Sequence, residues 1–196
     1  MPAMATVHAN ILTDITNRVE FRNWLTSNHA TKTECWLALK RGRPQDDGAF
    51  YYLDAVEEAL CFGWIDSIQK PIDGVTMQRF SPRKPKSPWS ELNKERVRRL
   101  EKLGLMTDAG HAVLPPMGPR SFHVDPDVVA ALKGARCWTK FKQMHPLYQR
   151  VRAYNVAFYK DRDPDGFKRA LASLVAATKQ GKYIGEWNDY GRLLDY

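Results

Sequence analysis

Leu53-Asp-Ala-Val-Glu-Glu-Ala-Leu-Cys-Phe-Gly-Trp-Ile-Asp66 is the stretch around which the chain is organised. Val56, Ala59, Leu60 and Gly63 fall on one helical stripe, and Glu57 and Glu58 point elsewhere. The spacing predicts a core helix over 53–62. Gly63 is expected to end it, because glycine enters the left-handed conformation at no steric cost. Trp64 and Ile65 are expected to fold back as an apolar plug. Asp66 would then stand at a sharp corner, its carboxylate beside a buried ring.

Upstream, residues 1–15 read as a loosely held arm. Asn17 followed by Glu20 reads as a capping box for a helix over 18–27, with Phe21, Trp24 and Leu25 on one face. A short strand over 34–40 centres on Trp36 and Leu37, and a turn-rich loop covers 41–48. Downstream, Ile68 starts a short strand, 71–74 is a turn, and 75–80 alternates as a second strand. The prolines in 81–86 are expected to stop the sheet, since each removes a donor. Ser87 is expected to cap a helix with Pro88 at its first position, running to about 103. Its apolar side holds Trp89, Leu92, Leu100 and Leu103, and Arg96 interrupts it. Gly104 stops that helix, and Thr107 caps a short one over 108–113.

The proline-rich run 114–119 reads as a linker. Helices follow over 126–133, 138–144, 146–160 and 164–180, the last capped by Asp163, and a frayed tail closes the chain. The expected fold is α+β, helix-dominated, with a small antiparallel sheet built from the Cys35 and Met77 strands and a helical C-terminal region. The expected domains are 16–114, a linker over 115–125, a helical region over 126–182 packed on the first, and a tail over 183–196.

The 196 residues are 43% hydrophobic and 11% aromatic, which suits a packed core and excludes a disordered chain. The net charge of +8 favours anionic partners. It is unevenly placed: residues 1–78 sum to −3, 79–103 to +6 and 133–196 to +7. Cys35, Cys61 and Cys137 sit in apolar contexts and read as reduced core residues. The first 13 residues lack a signal peptide's basic start and apolar core, and no stretch approaches the roughly 18 apolar residues of a membrane span. A cytoplasmic protein with no membrane span is the expectation. No particular oligomeric state is indicated.

Four constellations could carry function. Asp66 with Arg79, Arg83 and Arg96 could clamp an anion through bidentate hydrogen bonds, or could form an ion pair that closes the corner. Trp64, Phe80, Trp89 and Asn93 could wall a pocket, or the aromatics could fill the core. Ser87 and Ser90 could form an anion site at a helix N-terminus, or could simply cap it. The basic tract 79–102, with Phe80 and Trp89, could bind nucleic acid. Glu91, Glu95 and Glu101 interleave in it at salt-bridge spacing, so a solvated helix face is the preferred reading. The five histidines have no metal-ligand spacing with one another, with cysteine or with a carboxylate, and no nucleophile or phosphate-loop motif occurs. No cofactor or metal is expected.

Glu58-Ala-Leu-Cys-Phe-Gly-Trp-Ile-Asp66 and Arg79-Phe-Ser-Pro-Arg-Lys-Pro-Lys-Ser-Pro-Trp-Ser-Glu-Leu-Asn93 carry a further pattern. With Phe21-Arg-Asn-Trp-Leu25, Trp36 and Gly104-Leu-Met-Thr-Asp-Ala-Gly110, they resemble the YdeI/OmpD-associated family, also called bacteriocin-protection proteins. The resemblance covers about 17–112 and, more weakly, 148–182. This chain departs from it at Ser67, where the family often has Gly, and at Tyr154-Asn-Val-Ala-Phe158. The resemblance implies a cytoplasmic bacterial protein linked to tolerance of cationic antimicrobial peptides, with no established chemistry. Together these readings favour a non-enzymatic binding protein with an anionic ligand or protein partner. Its site would comprise Trp64, Asp66, Arg79, Arg83, Trp89, Asn93 and Arg96. The alternatives are an enzyme acting on a small anionic substrate in the same pocket, or a nucleic-acid-binding protein using the 79–102 tract.

Overall fold

Helix α2 (Tyr52–Cys61) is buried along almost its whole length, with Ala55, Val56, Ala59 and Leu60 fully enclosed. Gly63 follows it at φ +73°, as expected, and a Cβ there would lie 2.8 Å from the Ala109 carbonyl oxygen. Conformation and close approach both demand glycine at this position. The computed structural model describes residues 10–118 and 121–196. Residues 1–9 of the expected arm, and 119 and 120 of the expected linker, lie outside the described residues.

Two compact units are present. The first comprises the chain up to Ser87 together with Leu100–Leu114, and the second Pro88–Arg99 with Pro115–Tyr196. In the first, α1 (Arg18–Asn28) packs on α2, and α2 on the sheet. The sheet has three antiparallel strands, β1 (Cys35–Ala38), β2 (Trp64–Ile72) and β3 (Val75–Pro82), in the order β1-β3-β2. Phe21 of α1 meets Phe50 and Phe80 with ring centres 5.9 and 5.6 Å away. Helix α4 (Asp108–His111) is capped by Thr107, whose hydroxyl also donates to the Cys61 carbonyl at 2.7 Å and so satisfies the end of α2.

The second unit is helical. Helix α3 (Glu91–Lys102) starts in it and runs back into the first. Helices α5 (Pro126–Gly134), α6 (Trp138–Gln143), α7 (Pro146–Ala157) and α8 (Pro164–Gln180) pack together. They do so around Val128, Leu132, Phe141, Leu147, Tyr148, Val151 and Leu174. Asp163 caps α8 and Gly181 ends it at φ +69°. The fold is therefore α+β and helix-dominated, as the sequence indicates. Among the described residues, no helix is long and apolar enough to cross a membrane.

Several details differ from the sequence reading. Trp64 after Gly63 is buried, as expected, but it opens strand β2 directly and Ile65 is only half-buried. Strand β3 continues to Pro82, which a central strand tolerates here because pairing with β1 has already ended at Phe80. Helix α3 begins at Glu91, with the Ser90 hydroxyl accepting from the Asn93 N–H at 3.1 Å, so Ser90 rather than Ser87 fills the capping role. Leu103 is exposed. Residues 10–12 pair with β1, Leu12 donating to the Trp36 carbonyl and Trp36 to that of Asn10. The tail is not frayed: Trp187, Asp189 and Leu193 are buried. Residues 88–99 group with the helical unit, so the boundary does not fall at the 115–125 linker alone.

Candidate functional site

The sequence-derived site residues divide between the two units. Trp64, Asp66, Arg79 and Arg83 lie in the first; Trp89, Asn93 and Arg96 lie in the second. Trp64 is buried, its indole N–H donating to the His29 carbonyl at 3.2 Å and its ring edge-on to Trp24 at 5.7 Å. Asp66 is paired with Phe80 across the sheet and shares its face, where the Tyr52 hydroxyl donates to it at 2.7 Å. Arg79, next to Phe80 on β3, points to the other face because strand side chains alternate. There it pairs with Glu34 at 2.6 Å and reaches the Ser67 hydroxyl at 3.3 Å. Arg83 is buried at the end of β3, where its backbone N–H donates to the Gly63 carbonyl. Arg96 finds its carboxylate in Asp189. Arg79 and Arg96 thus have carboxylate partners other than Asp66, which accepts from the Tyr52 hydroxyl. Arg41 instead completes the polar edge: its guanidinium lies over the Tyr52 ring at 3.8 Å and donates to Gln78 at 2.6 Å.

A denser polar network in the first unit involves none of the expected residues. Glu57 and Glu58 are buried, not solvent-facing. Arg18 and Arg22, one turn apart on α1, answer them. Arg18 reaches Glu58 at 2.5 Å, Asp54 at 3.3 Å and Glu57 at 3.4 Å, and Arg22 reaches Glu58 at 2.8 Å. Burial works against the Arg18 charge, but the carboxylates, Glu58 foremost, outweigh it and raise its pKa. Burial likewise pushes the Cys61 thiol up to about 11. All three cysteines are buried, reduced thiols.

The second unit holds a cavity of about 220 Å3 lined by Glu91, Glu95, Arg98, Met117, Phe122 and Arg150, among others. Glu91 and Glu95 lie one turn apart on α3, so both carboxylates project to the same side. Glu95 is held by Arg98 at 2.5 Å, by Arg150 at 2.9 Å and by the Tyr196 hydroxyl at 2.9 Å. Burial, and then that bond to Glu95, push the Tyr196 phenol up to about 12. Glu91 is 1% exposed; one of its oxygens pairs with Lys94 at 2.7 Å. Its other oxygen lies 3.6 Å from the Arg150 Nε, and neither of those two buried atoms makes a hydrogen bond. The i, i+4 spacing of Glu91 and Glu95 is visible in the sequence. Arg150 and Tyr196, 55 and 101 residues from Glu95, are not findable from spacing. Among the described residues no group of three side chains is placed to hold a metal ion.

No curated protein and no solved structure matches the chain. A family model described as a domain of unknown function, DUF8412, matches residues 13–113. That stretch includes Glu91, Glu95 and Arg98 of the cavity wall but not Arg150 or Tyr196. It spans more than half of the 196 residues, and the chain belongs to the DUF8412 family.

Proposed function

We propose that this protein binds a small ligand without covalent chemistry of its own, and that the cavity beside the first turns of α3 is its site. The observation that carries the reading is Glu91, a buried carboxylate with one oxygen left without a hydrogen bond at the cavity wall. Leaving such an acceptor unsatisfied costs about 1–3 kcal/mol or more, and a ligand N–H or O–H placed there recovers it. The wall charges of Glu91 and Glu95 are balanced by Arg98 and Arg150. The ligand that suits this wall is therefore small, polar and close to neutral, with a donor beside an acceptor. A bare anion at Asp66 has less support, since Arg79 and Arg96 are already neutralised by Glu34 and Asp189.

The resemblance to YdeI/OmpD-associated proteins adds a cytoplasmic setting and a link to antimicrobial-peptide tolerance to this proposal. A chain of net charge +8 repels cationic peptides, so that role would run through the ligand and not through peptide capture.

A thermal-shift panel of amino acids, small amides and other compact zwitterions tests the reading. A ligand at one hundred times its Kd stabilises by about 2.7 kcal/mol, which raises the midpoint of a domain this size by about 5–10 °C. Glu91→Gln should abolish that shift. No compound moving the midpoint by more than about 1 °C, or a shift indifferent to Glu91→Gln, defeats the proposal. Recovery of the ligand unchanged after long incubation separates binding from turnover.

A further inference from the structure

The basic tract 79–102 is largely neutralised by its own neighbours: Arg79 pairs with Glu34, Lys94 with Glu91, Arg96 with Asp189 and Arg98 with Glu95. A second group of cations lies at one end of the second unit. Lys133, Arg136, Lys140 and Lys142 stand on and between α5 and α6, and Lys179 and Lys182 stand at the end of α8. All six are exposed, and among the described residues none forms an ion pair. The sequence explains why: no Asp or Glu occurs between Val128 and Lys160, or between Gly166 and Gly185. The two segments meet in space. Lys140 Nζ donates to the Lys179 carbonyl at 2.7 Å, and α6 packs on α8.

Cations in a helix's last turn are favoured by its dipole, which gives Lys133, Lys140, Lys142 and Lys179 a local reason to be there. Six together without a carboxylate still repel one another until an anion arrives. An aromatic ring stands among them. Tyr183 follows Lys182 and is 49% exposed. Its hydroxyl accepts from the His145 N–H at 3.2 Å, and its ring is stacked on Trp187, centres 5.2 Å apart at 19°. Tyr148 meets the same ring edge-on, centres 4.7 Å apart, so the ring is fixed in place by two neighbours while the residue stays about half exposed.

We propose that this end of the second unit binds single-stranded nucleic acid, with phosphates on the six cations and an unpaired base stacked on Tyr183. Basic side chains around a fixed, accessible ring are the means by which proteins hold single strands with little sequence preference. An anionic membrane fits less well, because among the described residues Tyr183 is the one large apolar side chain exposed beside these cations. The proposal goes beyond the cavity reading and uses none of its residues.

Fluorescence anisotropy of a labelled oligothymidylate of about 20 nucleotides, titrated between about 50 and 200 mM salt, tests it. With six phosphates engaged at about 0.7 each, log affinity should fall against log salt with a slope of about −4, a weakening of about 300-fold over that range. The combined exposed substitutions Lys133→Ala, Lys142→Ala and Lys182→Ala should lower the slope by about 2. Tyr183→Ala should weaken binding about 5-fold or more at every salt concentration and leave the slope alone. Lys84→Ala with Lys86→Ala, in the first unit, should change neither. The proposal is overturned by no anisotropy change at 50 mM salt, by a slope indifferent to the triple substitution, or by tighter binding to phosphatidylserine vesicles than to the oligonucleotide.

Discussion

Asp189→Ala isolates the contact on which the C-terminal tail depends. Asp189 accepts from Arg96 Nε at 2.6 Å and from Arg96 Nη2 at 2.8 Å, a bidentate pair. The two side chains are 10% and 5% exposed. Taking both ions out of water costs several kcal/mol each, and their attraction offsets that cost only while both are present. Removing the carboxylate leaves the guanidinium with Asn93 Oδ1 at 2.7 Å and no matching charge from Asp189. The expected loss is about 3–5 kcal/mol. Arg96→Met should cost a similar amount by stranding the carboxylate. The double variant, Arg96→Met with Asp189→Leu, replaces the pair by apolar side chains and should lie within about 1–2 kcal/mol of wild type, the residual cost being that of Leu at the left-handed backbone of position 189 (φ +50°). The double-mutant cycle should therefore return a coupling of several kcal/mol. Urea titration followed by circular dichroism, with amide exchange in α3 reporting on the second unit, measures all four proteins. A loss below about 1 kcal/mol for Asp189→Ala, or a double variant as unstable as the two singles summed, refutes the reasoning.

Trp64→Ala should cost about 3–5 kcal/mol, because it leaves a cavity beside Trp24 and strips the His29 carbonyl of its donor; a loss under about 1 kcal/mol in the same titration would show that the corner is not held by this ring. Tyr196 has a folded-state pKa of about 12, above its ordinary value of 10, so folding favours the protonated phenol. Its contribution is fully present below about pH 10 and is lost as pH rises towards 12. Tyr196→Phe should flatten the alkaline loss of stability over that window and remove a late-titrating phenol from a spectrophotometric titration, and an unchanged titration curve would contradict the assignment.

What the sequence revealed was local. Asn17, Thr107 and Asp163 cap the helices they were expected to cap, and Gly63, Gly104 and Gly181 all have positive φ. Each signal depends on a few neighbouring residues and on elementary sterics. Pairings across long separations were not legible in the same way. Arg96 on an apolar stripe correctly demands a carboxylate, but Asp66 and Asp189 satisfy that demand equally on paper. The partner turned out to lie 93 residues away, in a tail whose polar composition reads as frayed. The cavity wall, with the Tyr196 hydroxyl that bonds its Glu95, shows the same division. Glu91 and Glu95 are readable as one helical face, whereas Arg150 and Tyr196 join them only through the packing of the helices and tail of the second unit.

Glu57 and Glu58 show where the amphipathic argument fails. A helix that packs on one side leaves its charges to water, and on that premise both glutamates face outward. Helix α2 instead contacts α1, α4 and β2, so little of its circumference remains for solvent. A buried carboxylate must then carry its own counter-charge, and α1 supplies two, at the i, i+4 spacing of Arg18 and Arg22. The matching pattern was present in the chain: acids at 54, 57 and 58 on one helix, and bases at 18 and 22 on another. Two helices that each bear charges of one sign at helical spacing are more economically explained by facing each other than by both facing water. Read that way, Arg18 and Arg22 fix how α1 docks on α2. Trp24 on α1 and His29 just after it then come to lie against Trp64, the ring from which β2 begins.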